Sequence, residues 1–488
     1  MKKLVASLFI VIWSCSLSAQ ELWVSPDGSG AAFSEANPGS LSDYSGLKSK
    51  ISGLRNVGIK HVRVNLKEGV YPRTFHINVG NDMTGTATDT LSFIGVSTNA
   101  YQDDGKVVLS GGQKVTGWQL ADNGIYTAQL PATADFRQLY VNGKMAVRAR
   151  YPNRTDNQHF GPYFKIHGFY PDADSNFKML INSSEISDWD KPGEVEMVIH
   201  QHWVHSRVKI SSYEKLAYAN NYTIVTLGWA LVKWATNDLS YFWENSLDFL
   251  DMEDEWYLDR DTKVLYYKPG AGEDINQLDI VYPVAEKLLN IEGTASVPVR
   301  NVFFENIEFK YSNWAAPNTV PAVRCNIGVE LLDGNISVSS AIQARYAEGI
   351  HLVNCNVFST GGHGVNFISG VNNSEITACH FDQIAASGIV VNESYQTMTS
   401  SDIRLSNNLI ENYGMNYTSG LGYSARNTPR MIVENNEIRF GRYGGSQIGG
   451  GDINAEMNCM VRYNNVHHVM WLHDDCGGIY VCGWLKGS

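Results

Sequence analysis

Two glycine-dense turns near the C-terminal end of the chain each carry carboxylates. They are Tyr443-Gly444-Gly445-Ser446-Gln447-Ile448-Gly449-Gly450-Gly451-Asp452 and His473-Asp474-Asp475-Cys476-Gly477-Gly478-Ile479-Tyr480. Paired carboxylates are the minimum equipment for breaking a glycosidic bond. One gives a proton to the leaving oxygen, while the other attacks the anomeric carbon or activates water, at separations of about 5 Å for retention and about 6.5–9.5 Å for inversion. Asp452 and Asp475 are 23 residues apart, and Asp474 competes for the second place. The same residues could equally cap turns, a common use of Asp in β proteins. Spacing leaves open which carboxylate is the acid and which the nucleophile or base.

Rings crowd the same region: His363, Tyr443, His467, His468, Trp471, His473, Tyr480 and Trp484. A sugar can lay its C–H face on an aromatic ring while its hydroxyls reach polar anchors at the rim. His363, Tyr443, His468, Trp471, His473 and Tyr480 are therefore candidate substrate contacts. Trp203, with His202 and Trp243, is expected at the lip of the cleft. Residues 444–451 lack the Gly-Lys-Ser/Thr ending of a phosphate loop. No Ser/His/Asp triad is legible, and no Cys/His spacing suits zinc. No metal and no cofactor is expected.

These residues need elements to hold them, and a repeat supplies the elements. An offset of 24 relates Leu352 to Ile376, Cys355 to Cys379, Val357 to Phe381 and Gly364 to Gly388, and two such steps back from Val357 reach Phe309. Further on the step is 28, taking Asn408 to Asn436 to Asn464 and Ile410 to Ile438 to Val466. Units this short, alternating with period two, cannot bury their own apolar face and become stable by stacking on copies of themselves. A β-solenoid results, in which equivalent residues form ladders at the strand spacing of about 4.8 Å. An asparagine ladder suits its interior, because each amide both donates and accepts and tolerates the left-handed backbone of a sharp corner. Cys355 and Cys379 read as buried stacking residues rather than halves of disulfides. Before the repeat, residues 42–54 read as a helix that caps the stack. From about 119 to 281 the repeat gives way to alternating strands such as Glu194-Val195-Glu196-Met197-Val198-Ile199, which read as an inserted β-sandwich.

Lys2 and Lys3, the apolar run at 4–13 and Leu17-Ser18-Ala19 have the order of a secretory signal, cut after Ala19. The run is too short to span a bilayer, and secretion or a periplasmic location is expected. A surface lipoprotein through Cys15 is the lesser alternative, because Trp13 spoils the lipobox. Lys+Arg 38 against Asp+Glu 50 gives a net charge of -12, which repels nucleic acid.

Certain stretches resemble a known family. Phe136-Arg137-Gln138-Leu139-Tyr140-Val141-Asn142-Gly143-Lys144 with Arg148-Ala149-Arg150-Tyr151-Pro152-Asn153, Glu255-Trp256-Tyr257-Leu258-Asp259-Arg260 with Leu265-Tyr266-Tyr267, and Asp475-Cys476-Gly477-Gly478-Ile479-Tyr480 resemble exported right-handed parallel β-helix glycosidases. The similarity is above all to glycoside hydrolase family 141, with family 120 as a relative. The resemblance implies an all-β chain, a right-handed parallel β-helix with an inserted β-sandwich. It implies two catalytic carboxylates at the helix cleft, placed on Asp452 and Asp475 with Asp474 as competitor. The implied substrates are oligo- or polysaccharides of plant cell walls, carrying fucoside or xylan and xyloside linkages. The expected organisation is a signal at 1–19, cap and first coils at 20–118, the insertion at 119–281 and the coils with the site at 282–488. Such relatives run on through further coils, so a chain cut short is expected; its oligomeric state is open.

Two other classes compete. A polysaccharide lyase would need cations for uronates and a base for the adjacent proton. From Asn301 onward the only lysines are Lys310 and Lys486, which disfavours anionic sugars, though Arg426, Arg430 and Arg442 keep the lyase in play. A non-catalytic glycan-binding solenoid is the third class.

Overall fold

The computed structural model describes residues 19–72, 76–96, 106–155, 161–169, 178–216, 221–231, 238–326, 330–331, 337–392, 400–449, 456–483 and 487–488. The chain is all-β and dominated by parallel sheets. One sheet runs through Gln20–Val24, His61–Lys67, Thr90–Val96, Val299–Glu305, Ser340–Val353 and His363–Thr377 and on to Ile479–Val481. A second, eight-stranded parallel sheet runs from Gly69–Pro72 through Val107–Ser110, Ile307–Ser312, Asn356–Thr360 and His380–Ile384 to Asn465–His467. Along the stack each strand of the second sheet is flanked in sequence by one or two strands of the first, and one continuous apolar core contains residues of both.

The expected registers hold where the step is 24 or 28: Leu352 pairs with Ile376, Val357 with Phe381, Ile410 with Ile438 and Ile438 with Val466. One count is corrected. Phe309 pairs directly with Val357, so the 48 residues between them make one coil and not two. The surplus leaves the stack to form Ala322–Asn326, which joins an antiparallel sheet of the preceding segment.

The asparagine ladder is structural. The Asn408 amide Nδ2 donates to Asn436 Oδ1 at 2.9 Å and the Asn436 amide to Asn464 Oδ1 at 2.9 Å, while each also donates to a neighbouring carbonyl, Ile376 or Leu405. The left-handed corner belongs to the residue before each: Asn407, Asn435 and Tyr463 have φ of 57°, 56° and 58°. A glycine column runs beside the ladder. A Cβ on Gly364, Gly388, Gly422 or Gly445 would stand 2.6, 2.5, 2.5 or 2.4 Å from the carbonyl oxygen of the next glycine, ending at Gly478. Cys355 and Cys379 are buried free thiols that bond backbone carbonyls. The helix spans Tyr44–Asn56, its first turn closed by Asp43 accepting from the Gly46 N–H, and Leu47 and Ile51 join the core of the stack.

Between Ser110 and Leu289 the parallel ladders stop. This segment folds into mainly antiparallel sheets with two cores of its own, Val147–Arg148 alone among the described strands there pairing parallel, with Glu255–Asp259, and its ends meet where Gly112–Lys114 pairs with Ile280–Pro283.

Candidate active site

A hairpin of the intervening segment builds the site from the strands Glu196–Gln201 and Val204–Lys215, joined by the two-residue turn His202-Trp203. The strand Ser240–Glu244 lies against the first of these. Side chains alternate across a sheet, and here the alternation separates apolar from ionic. Met197, Ile199, Val208, Tyr241 and Trp243 fill the segment's core. The opposite face carries Glu196, Val198, His200, His205, Arg207, Phe242 and Glu244, and it too is buried, against the parallel stack.

An ionic face can be buried only if its charges pair. Arg137 holds Glu196 with both guanidinium arms, at 2.8 and 2.5 Å. Arg148 and Arg207 each bridge Glu196 and Glu244, at 3.2–3.3 Å and at 3.2 and 2.6 Å. Burial alone would raise the Glu196 carboxyl, but Arg137, Arg148 and Arg207 hold it well below the usual carboxylate range. Arg207 also donates to the Asn416 carbonyl of the stack at 3.3 Å.

A relay leads from this face to the carboxylate-bearing turn. His473 Nδ1 donates to the Gln201 carbonyl at 3.0 Å, so its neutral ring accepts at Nε2 from the Thr418 hydroxyl, at 2.8 Å. The Thr418 oxygen in turn accepts from His205 Nδ1 at 2.9 Å. Burial keeps these rings uncharged: His473 is pushed down to about 4, and His205, beside Arg207, well below its ordinary value. At the hairpin tip the Asp474 N–H donates to the His202 carbonyl at 2.7 Å, and the Asp474 carboxylate lies 3.5 Å from His202 Nδ1. Asp474 and Asp475 face solvent on a turn held by buried groups.

Residues 124–270 match the model of the GH141 insertion domain. A solved glycoside hydrolase shares the fold with a TM-score of 0.77 at 22% identity, over 95% of this chain and 86% of that one. The chain is thus similar to GH141 proteins over residues 124–270 and shares the fold of a glycoside hydrolase. A complex of XylC with xylose overlaps at a TM-score of 0.42 and 12% identity, over 91% of this chain and 62% of that one. A GH136 lacto-N-biosidase from Eubacterium ramulus overlaps at 0.37 and 10% identity, over 96% and 67%. None of the curated proteins matches the chain.

The segment that matches the GH141 insertion domain supplies the hairpin that grips the turn. Of the residues expected in the site, His473, Tyr443, Asp474, Asp475 and Trp203 come together there: the Tyr443 hydroxyl donates to the Asp475 carbonyl at 2.8 Å, and its ring lies 5.5 Å from that of His473. The Tyr480 hydroxyl is raised by burial and by Asp475. His468 and Trp471 form a separate ring cluster around Phe440. His363 lies inside the stack, fully buried, accepting from the Ser387 N–H at 3.1 Å and pushed down to about 3 by burial. Trp243 points into the insertion's core instead of the cleft. Asp452 and Trp484 lie outside the described residues.

The ionic face escaped the sequence reading. Its signal is the alternation Glu196, Val198, His200 and His205, Arg207, which leaves charged residues on a strand whose other face is already apolar. A cavity of about 70 Å³ opens between this face and Asn416, Thr418, Arg442 and Leu472 of the stack, and a groove of about 630 Å³ adjoins it across Met145, Ala146, Val147 and Arg154. Among the described residues no group of three or more His, Cys, Asp or Glu is placed to hold a metal, and no helix is long and apolar enough to cross a membrane.

Proposed function

We propose that this chain is an exported glycosidase of plant cell-wall type glycans, cutting fucoside or xylan and xyloside linkages. In this reading the parallel stack is a β-helix, right-handed as parallel crossovers nearly always are, with an inserted β-sandwich at about 119–281. Asp475, with Asp474 as its competitor, works with Asp452. The observation that carries the proposal is the exposed Asp474-Asp475 turn, fixed by the Asp474 N–H to His202 carbonyl bond and by the neutral His473-Thr418-His205 relay.

Catalysis by two carboxylates demands such fixing. A protonated acid must meet the leaving oxygen while its ionised partner stands on the other side of the anomeric carbon, and small misplacements forfeit much of the gain from proximity. Trp203 stands beside the turn to stack on a sugar face, whereas Tyr443, expected as a second stacking ring, is buried beneath the turn and supports it.

The test is release of reducing sugar or aglycone by the mature protein from fucosides, xylosides, xylan and pectic glycans. Asp475→Asn and Asp452→Asn are each expected to lower kcat at least 100-fold with the fold intact. Turnover that persists in both variants, and in Asp474→Asn, would overturn the site assignment.

A further inference from the structure

We propose that His200, with its cross-strand neighbour His205, reads the hydroxyls of one uncharged sugar ring held in the cavity between the hairpin and the stack. The inference rests on the glycosidase reading above and adds to it the residues that select the sugar.

The charged groups of the wall are already engaged. Arg148 and Arg207 each bridge Glu196 and Glu244. Arg150 donates to the carbonyls of Pro152 and Pro162 at 3.0 and 3.2 Å and lies 3.8 Å from the centre of the Phe242 ring. Arg442 donates to the Met415 sulfur at 3.3 Å, and Arg154 is engaged as well. With these groups committed, the wall selects by hydrogen bonds and shape rather than by charge.

Unpaired buried atoms supply the hydrogen bonds. Both ring nitrogens of His200, Nε2 of His205 and Nε of Arg207 have no hydrogen-bond partner in the protein, and these residues are 6%, 0% and 4% exposed. All three line the cavity. His200 and His205 stand opposite each other on the hairpin strands, with ring centroids 6.1 Å apart. The other rings packed on His200 are Tyr163 at 5.1 Å, His473 at 5.5 Å and Phe242 at 6.1 Å. A phenylalanine would fill the same place without burying two polar atoms, so packing does not account for a histidine there.

The pattern of donors and acceptors names the ligand. Thr418 takes the hydrogen bond from His205 Nδ1, which leaves Nε2 of the neutral ring with a lone pair. His200, held uncharged first by burial, offers one donor and one acceptor, and Arg207 Nε is a further donor. Hydroxyls donate and accept, and so satisfy both kinds of atom. A carboxylate or sulfate brings no proton to the two lone pairs, and an ammonium group accepts nothing.

Shape and size agree with a sugar ring. Met145, Val198, Met415 and Leu472 give the same cavity apolar walls for ring C–H groups. Its volume of about 70 Å³ holds roughly five waters at about 10–15 Å³ each, room for one ring and not for a chain. Met145, Ala146 and Val147 also border the groove of about 630 Å³, which would take the neighbouring sugars of the glycan.

Titration of the full chain with methyl xyloside, methyl fucoside and methyl glucuronide tests this, followed by calorimetry and by the ¹⁵N signals of the His200 and His205 rings. A neutral glycoside is expected to shift both rings and to bind at least tenfold tighter than the glucuronide. His200→Phe is expected to weaken that sugar at least tenfold while the melting temperature of the free protein holds or rises, because the substitution removes two unpaired atoms. The ring shifts are read on the natural chain and do not depend on the variant folding. Rings that no glycoside shifts, as in a cavity that holds water only, a glucuronide that binds as tightly, or a lower melting temperature with unchanged affinity in His200→Phe would each overturn the subsite. Turnover separates this from the glycosidase reading. Hydrolysis of xylosides or fucosides, with natural affinity kept in His200→Phe, would sink the subsite alone. Ring shifts with a neutral glycoside and no hydrolysis of any glycan would sink the glycosidase alone.

Discussion

Glu255 shows how burial can outweigh hydrogen bonds in setting a side chain's titration. It accepts two backbone N–H groups, from Arg150 and Met252 at 3.3 Å each, yet burial dominates and raises it to about 8. Its folded value lies above its unfolded one, so the stability it contributes is full below about pH 4.3 and is lost as the pH rises towards 8. Glu255→Gln removes the titration; its unfolding free energy is expected to gain on that of the natural chain between pH 4.5 and 8, as read by urea midpoints. The buried histidines run the other way. His473 and His363 fall to about 4 and about 3, while burial first depresses His200 and His205, followed by His473, Arg150 and Arg207 for His200 and by Arg207, His200 and His473 for His205. Below about pH 6.5 the unfolded chain takes up protons that the folded one refuses, at up to about 1.4 kcal/mol per pH unit for each ring. Unfolding stability is thus expected to peak near pH 6.5 and to fall steeply from there to pH 4. A flat acid limb would mean that these rings are protonated in the fold.

At the scale of the element, ladders turn a repeat into a rigid support. Asn436 accepts from the Asn408 N–H and amide while donating to the Leu405 carbonyl. Asn436→Ala strands several buried groups, with an expected cost of about 1–3 kcal/mol, measured by denaturant unfolding; a neutral result would reduce the ladder to packing. The strands were legible in the sequence because equivalent apolar residues recur at 24 and 28. Two features were not legible. Gly444-Gly445 and Gly477-Gly478 read as parts of glycine-dense turns, whereas Gly445 and Gly478 stand in the regular glycine column, where the Gly478 carbonyl passes too close to Gly445 for a Cβ there. The second was the 48-residue step from Phe309, which a period of 24 divides evenly although the chain spends the surplus outside the stack. The Asp474-Asp475 turn was readable from residue types. The arginines and histidines behind it were not, because they come from strands some 270 residues earlier and meet it only through the insertion.

At the scale of the molecule, insertion and stack are joined by buried polar groups: Arg207 to the Asn416 carbonyl, Arg137 to Asn318 at 2.6 Å, and His205 to His473 through Thr418. Thr418→Val cuts the last of these without changing volume much. It is expected to cost about 1–3 kcal/mol and to speed hydrogen exchange at the Asp474 amide; an unchanged exchange rate would mean that the His202 carbonyl holds the turn alone. The joint also bears on how the chain finds its fold. Thr90–Val96 must pair with Val299–Glu305 across some 200 residues, and closing so long a loop is entropically expensive. The short antiparallel pairing of Gly112–Lys114 with Ile280–Pro283 draws the ends of that loop together, and once it forms the remaining closure spans only tens of residues, lowering the cost by roughly 1–2 kcal/mol. Pairing of the stack across this gap is therefore favoured once the insertion has folded, so the segment that grips the Asp474-Asp475 turn also holds the two halves of the stack within reach of each other.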